Sequence, residues 1–146
     1  MKARELRVTY ARSGEPPRAD QRTTILGGKD AAAILIPILA HEPQEVFGVL
    51  LLNARHKLIG WQEVHRGSVD TVQISPCDVF RAAIMLNSPA IIVAHNHPSG
   101  DPAPSPDDHD VTRRLRAAGD LLGIEVLDHV IIGDGIYTSY KESGRW

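Results

Sequence analysis

β-branched and aliphatic runs alternate along the chain with amphipathic runs of helical period, and this interleaving predicts an α/β (α+β) domain, a mixed sheet flanked by helices. Length and composition agree with it. A chain of 146 residues suits one compact domain, and 42% hydrophobic with 23% charged residues is the balance of a protein that buries a core. The net charge of −2 supplies no general attraction to nucleic acid. The single cysteine, Cys77, excludes an intrachain disulfide and a Cys-rich zinc site, so any metal must be held by His and carboxylate. The charged start lacks the apolar stretch of a secretory signal. The longest apolar run, Ala31 to Ala40, is too short for a membrane span and is broken by Pro37, so a cytoplasmic location is expected.

Residues 1–24 read as an extended basic N-terminal arm, polar around Pro16-Pro17, with an edge strand possible over Leu6 to Tyr10. The folded domain is expected over residues 25–146. Lys29 to Ala40 has helical character, with Pro37 a site for a kink. Val46 to Leu52 is aliphatic enough for a buried strand, and Asn53 to Lys57 turns into a second strand, Leu58 to His65. Alternation over Val69 to Ile74 is a weak strand signal. Ser75-Pro76-Cys77-Asp78 predicts a helix start with Ser as N-cap, Pro at the first helical position and Asp closing a capping box. Val79, Ala83 and Leu86 supply its inward stripe, and Asn87-Ser88-Pro89 stops it.

Ala90 to Ala94 is a short apolar run expected to be a central strand that leads into His95-Asn96-His97. A second helix begins at Ser105-Pro106-Asp107-Asp108, with Val111, Leu115, Ala118 and Leu122 as its apolar face. Strands are expected over Ile124 to Leu127, Val130 to Ile132 and Ile136 to Tyr140, the last two joined by a hairpin turn at Gly133-Asp134-Gly135.

The chemistry concentrates between His95 and Asp108. Two histidines one residue apart at a strand end project to the same face, because strand side chains alternate with period two. Both imidazoles can then reach one ion at the roughly 2.0–2.1 Å that zinc requires. Pro98, Pro102, Pro104 and Pro106 stiffen the loop after them, which can return a third ligand to a fixed place. Asp108 is the candidate for it. The same residue also belongs to a helix cap, as Asp78 does, and the helical wheel does not choose between Asp107 and Asp108. His41, His56, His65 and His109 fall at element ends or on polar faces and are expected at the surface. Asp128-His129 suits a structural or hydrogen-bonding role, and Cys77 that of a passive buried thiol.

The run from Glu45 to Asp108 resembles the JAMM signature of the JAB/MPN metalloproteases: a glutamate at a strand start, then His-x-His, seven residues, Ser, two residues, Asp. The segments Arg66 to Asp70, His95 to Pro102 and Leu127 to Gly135 are similar to the RadC (UPF0758) branch of that superfamily, over residues 25 to 142. The resemblance implies a JAB/MPN-type fold, cytidine deaminase-like, in a short form without the N-terminal helix-hairpin-helix region of longer RadC proteins. It implies that His95, His97 and Asp108 hold Zn²⁺, that Glu45 is the general base toward the metal-bound water, and that Ser105 stabilises the oxyanion formed on a carbonyl. It also selects Glu45 over Glu42 and Glu63. The expected function is a zinc-dependent hydrolase, a metallopeptidase or isopeptidase acting on an unknown peptide or protein substrate. The alternative is a DNA-associated repair, recombination or anti-restriction accessory protein, whose nucleic-acid contacts would fall to Arg4, Arg7 and Arg12. An HNH nuclease would rest on the letters His95-Asn96-His97 alone and is set aside. The sequence leaves oligomeric state open.

Overall fold

A computed structural model describes residues 22–68 and 73–146. Eight elements run in the order α1 (Gly28–Leu39), β1 (Val46–Leu52), β2 (Leu58–Arg66), α2 (Pro76–Met85), β3 (Ala90–Asn96), α3 (Pro106–Leu122), β4 (Glu125–Ile132) and β5 (Tyr137–Ser139). The expected edge strand at Leu6 to Tyr10 and most of the one at Val69 to Ile74 lie outside the described residues. Gln73 and Ile74, at the end of the latter, are not in a strand, and Ile74 packs into the core instead. Within the stretch expected as an arm, Thr23 and Thr24 are tied to the chain around Lys57 and Leu58.

The strands form one mixed sheet in the order β2-β1-β3-β4-β5, parallel between β3 and β4 and antiparallel elsewhere. β1 and β3 are buried along their whole length, as continuous apolar runs covered on both faces must be. Alternate residues serve the two faces. Phe47, Val49 and Leu51 of β1 and Ile91 and Val93 of β3 join Val79 and Phe80 of α2 and Val111 and Leu115 of α3 in one core. Val46, Leu50, Leu52, Ile92 and Ala94 face the other way, onto Ala31, Ala32, Leu35 and Leu39 of α1. The helix α1 continues through Pro37 and ends two residues later, so the missing N–H weakens only its final turn.

Three further expectations about the elements need correction. The strands predicted at Ile124 to Leu127 and Val130 to Ile132 are one strand, β4, running through Asp128 and His129. Its pairing with β3 slips by one residue, since Ile91 lies opposite Val126 and Ile92 opposite Asp128, so Leu127 is extra. That bulge reverses the facing of the rest of the strand: Val126 belongs to the α2/α3 core, whereas Val130 and Ile132 belong to the α1 core. His129 is thereby turned to the α2/α3 side, the side of Phe47 and Val93. The broken alternation is what made one strand read as two.

The second correction concerns α3. Leu122 is exposed rather than part of the apolar face, whose buried members are Asp108, Val111, Thr112, Leu115 and Gly119. At Gly119 the helix lies against β4 so closely that a Cβ would meet the Ile124 carbonyl at 2.5 Å. Gly123, in the left-handed conformation at φ 70°, then turns the chain back into β4 and leaves the last helical turn in solvent. Thirdly, Ser75 sits at the N-cap of α2 with extended backbone but makes no side-chain cap bond, and Asp78 pairs with Arg81 instead of closing a box.

Candidate metal centre

β3 carries His95 and Asn96 to its end, and His97 stays in register with β4 through its N–H, donated to the Ile132 carbonyl. His95 and His97 share the α2/α3 side, as period two requires, with ring centroids 4.9 Å apart. The first turn of α3 brings Asp108 to the same point. Nε2 of His95 lies 3.1 Å from Oδ1 of Asp108, Nε2 of His97 lies 3.2 Å from Oδ2, and the two Nε2 atoms are 3.0 Å apart. His95 is fully buried and Asp108 is 2% exposed, while the His97 side chain keeps 14% of its surface in solvent. The group therefore opens to solvent on the His97 side only. A cleft lined by His41, Glu42, Ser99, Gly100 and Asp134 borders His97 there.

Asp108 serves the helix cap and this cluster at once. Its N–H donates to Oγ of Ser105, and the Ser105 N–H donates back to Oδ2 of Asp108, closing the capping box. The box clamps the carboxylate in the orientation that aims both oxygens at the histidines, so the helix cap and the cluster share one geometry. Burial pushes the Asp108 carboxyl upward, but hydrogen bonds with His95 and His97 outweigh it and hold the group well below the usual carboxylate range. The same carboxylate raises the affinity of His97 for a proton against the effect of burial.

Four tetrahedral donors at about 2.0–2.1 Å from an ion stand about 3.3 Å from one another. Separations of 3.0, 3.1 and 3.2 Å among His95, His97 and Asp108 fit that arrangement. The donor chemistry fits too. Nδ1 of His97 lies 2.8 Å from the Asp101 carbonyl, which can only accept, so Nδ1 carries a proton and Nε2, the nitrogen that meets Asp108, is the one a metal would take. Among the described residues these three alone form a His, Cys, Asp and Glu group able to hold a metal ion.

Glu45 directly precedes β1, is half-buried, and lies close enough to His97 for its charge to favour protonation of that ring. Glu42 and Glu63 both pair with Arg66, at 2.6 Å and 2.8 Å. Ser105 uses its oxygen to accept from Asp108, which leaves its hydroxyl hydrogen for another acceptor. His41 and His109 are exposed, and His56 and His65 are half-buried outside the cluster. Cys77 is exposed rather than buried, because Val79 and Phe80 supply the inward face of α2.

Three residues near the centre carried weak signals or none. Asn96, 2% exposed, accepts from the Val46 N–H at 2.7 Å and donates to the Gln44 carbonyl at 3.0 Å, bracketing Glu45. It sits between the two histidines, where only its facing toward the opposite side of the sheet could have hinted at the role. His129 contacts His95, and Thr112 contacts His129; a polar residue one turn after Asp108 on the buried stripe of α3 was the available signal for Thr112.

Fold and cluster together define a mixed-sheet α/β domain with a His-His-Asp metal centre candidate at the end of its central strand. A family model described as a RadC-like JAB domain matches residues 25–145, and the chain belongs to that family. It is 46% identical over 118 residues to a UPF0758 protein of Alkaliphilus oremlandii, covering 81% of this chain and 51% of that one. A UPF0758 protein of Symbiobacterium thermophilum is 44% identical over 124 residues, 85% of this chain and 53% of its own. One from Trichlorobacter lovleyi is 50% identical over 101 residues, 69% and 44% of the two chains. The chain thus spans about half the length of these relatives. Among the described residues no helix is long and apolar enough to cross a membrane.

Proposed function

We propose that this domain is a zinc-dependent hydrolase, a metallopeptidase or isopeptidase, with His95, His97 and Asp108 as the ligands. The observation that carries the reading is the convergence of three buried or half-buried donor atoms at 3.0–3.2 Å, with the His97 proton committed away from the cluster. When bound, zinc lowers the pKa of water from 15.7 to about 7 and polarises a carbonyl oxygen. Held by three protein ligands, such an ion would remain accessible to solvent or substrate from the His97 side. Glu45, at the start of β1, takes the proton of the attacking water and returns it to the leaving amine. The Ser105 hydroxyl hydrogen is donated to the oxygen of the attacked carbonyl. The Asp108 capping box and the Asp101 carbonyl hold two of the ligands still, so that no reorganisation is required when substrate enters from the His97 side.

The test joins metal analysis with turnover. Purified protein should contain about one zinc per chain, and Glu45→Gln should keep the metal while losing hydrolysis of peptide and isopeptide substrates by roughly a hundredfold or more. Full zinc retention by His97→Ala would sink the ligand assignment. The DNA-associated alternative rests on Arg4, Arg7 and Arg12, which lie outside the described residues.

A further inference from the structure

The buried side of the cluster holds a hydrogen-bond chain whose direction is fixed by its ends. Nδ1 of His95 lies 2.9 Å from Nε2 of His129, and Nδ1 of His129 lies 2.6 Å from Oγ1 of Thr112. Oγ1 of Thr112 also lies 2.6 Å from the backbone carbonyl of Asp108. A carbonyl cannot donate, so the single hydroxyl hydrogen of Thr112 goes to Asp108. The hydroxyl oxygen must then accept from Nδ1–H of His129. His129 is fully buried, its ring stacked on Tyr140 at a 12° interplanar angle and met edge-on by Phe47, an environment that disfavours an imidazolium. In the neutral ring, Nε2 is left as an acceptor, and it accepts from Nδ1–H of His95. With Nδ1 committed in this way, Nε2 of His95, like that of His97, is the nitrogen left to a metal, which would take the place of the hydrogen bond to Asp108.

We infer that His129, oriented by Thr112, is a positioning residue that commits the His95 proton to Nδ1 and so presents Nε2 to the metal. The inference rests on the metal-site reading and deepens it. Its scaffold is the bulge of β4, which turns His129 to this side, and Asp128, whose carboxylate accepts from the His129 N–H at 2.8 Å and the Lys141 N–H at 3.1 Å. The chain returns to its start, since Thr112 bonds the carbonyl of the residue whose carboxylate meets His95. The buried side of the centre is thus tied to α3 twice, through Asp108 and through Thr112.

The experiment compares His129→Leu, which removes the acceptor, with His129→Gln, whose amide oxygen can stand where Nε2 stood. Zinc affinity is read by chelator competition, and the His95 tautomer by ¹⁵N NMR of the imidazoles in metal-free protein above pH 8. His129→Leu should bind zinc 10–100-fold more weakly and shift His95 toward the Nε2–H tautomer. His129→Gln should restore affinity to within a few-fold and return the proton to Nδ1. Should His129→Leu not fold, Thr112→Val supplies the removal, with the same signs expected. Unchanged zinc affinity and an unchanged tautomer in the removal variant overturn the inference, as does equal weakening by Leu and Gln with His95 still protonated on Nδ1. A parent protein that binds no zinc would instead refute the metal reading, while the tautomer measurement would still decide the role of His129.

Discussion

Asp108 shows how one side chain meets two demands that compete only on paper. The cap draws on its backbone N–H and on one lone pair of Oδ2, which leaves Oδ1 and the rest of Oδ2 facing His95 and His97. Asp78 begins a helix with the same letters but turns outward to Arg81, having no imidazoles to face. His129 is the residue with the clearest pH consequence. Burial holds its pKa well below the usual imidazole value, aided by the nearby His95. The unfolded chain, with an imidazole near 6.5, therefore binds a proton that the folded chain refuses. Stability is retained above about pH 6.5 and lost as pH falls below it, by at most about 1.4 kcal/mol per pH unit. His97, shifted the other way, keeps its full contribution below about pH 6.5 and loses it as pH rises through its folded value. Urea unfolding of metal-free protein at pH 6.5, 5.75 and 5 should show falling stability, with a shallower slope for His129→Gln.

At the scale of elements, the centre depends on short devices at strand ends. The β4 bulge re-aims His129. Gly133, at the β4–β5 turn, packs against the Gly100 carbonyl, and a Cβ there would also meet Pro102 at 2.9 Å, so the loop that supplies the Asp101 carbonyl rests on that turn. Asn96 ties the end of β3 to the start of β1. Asn96→Ala removes the partners of a buried N–H and of two carbonyls, and should cost about 1–3 kcal/mol for each buried group left unmet. With the backbone around Glu45 released and the three ligands intact, hydrolysis should fall much further than zinc content. Parallel measurement of urea unfolding, bound zinc and turnover separates these effects.

Across the whole molecule, a sheet covered on both faces makes the site a matter of global packing. The α2/α3 core reaches from Phe80 to Phe47, and Phe47 stacks on His95 with ring centroids 5.9 Å apart. Phe80→Ala should lower unfolding stability by about 3–5 kcal/mol, a large part of the roughly 5–15 kcal/mol typical of a domain. Saturating zinc should return part of that loss, because a ligand that binds only the folded state stabilises it by mass action. Thermal unfolding with zinc and with chelator should therefore differ in the variant as in the parent. A variant equally stable under both conditions would separate the centre from the fold.

Much of this architecture was legible in the residues because it rests on local rules. Apolar runs placed β1 and β3, Ser-Pro starts placed α2 and α3, and period two put His95 and His97 on one side. The Pro-rich loop pointed to Asp108, though the letters alone left ligand and cap as alternatives. The bulge, the exposed end of α3 and the roles of Asn96 and Thr112 were not legible, and of His129 only a structural or hydrogen-bonding role was, without its partners. They depend on which elements lie side by side and, for His129, on a register slip of one residue, and neither is encoded in the spacing of residues along the chain. The sequence by itself determined that any metal would be held by imidazole and carboxylate, with His95 and His97 on one face of a strand end. Only the tertiary structure decided how their protons are arranged, because proton direction is set by partners far apart in the chain: His95 with His129, and His129 with Thr112.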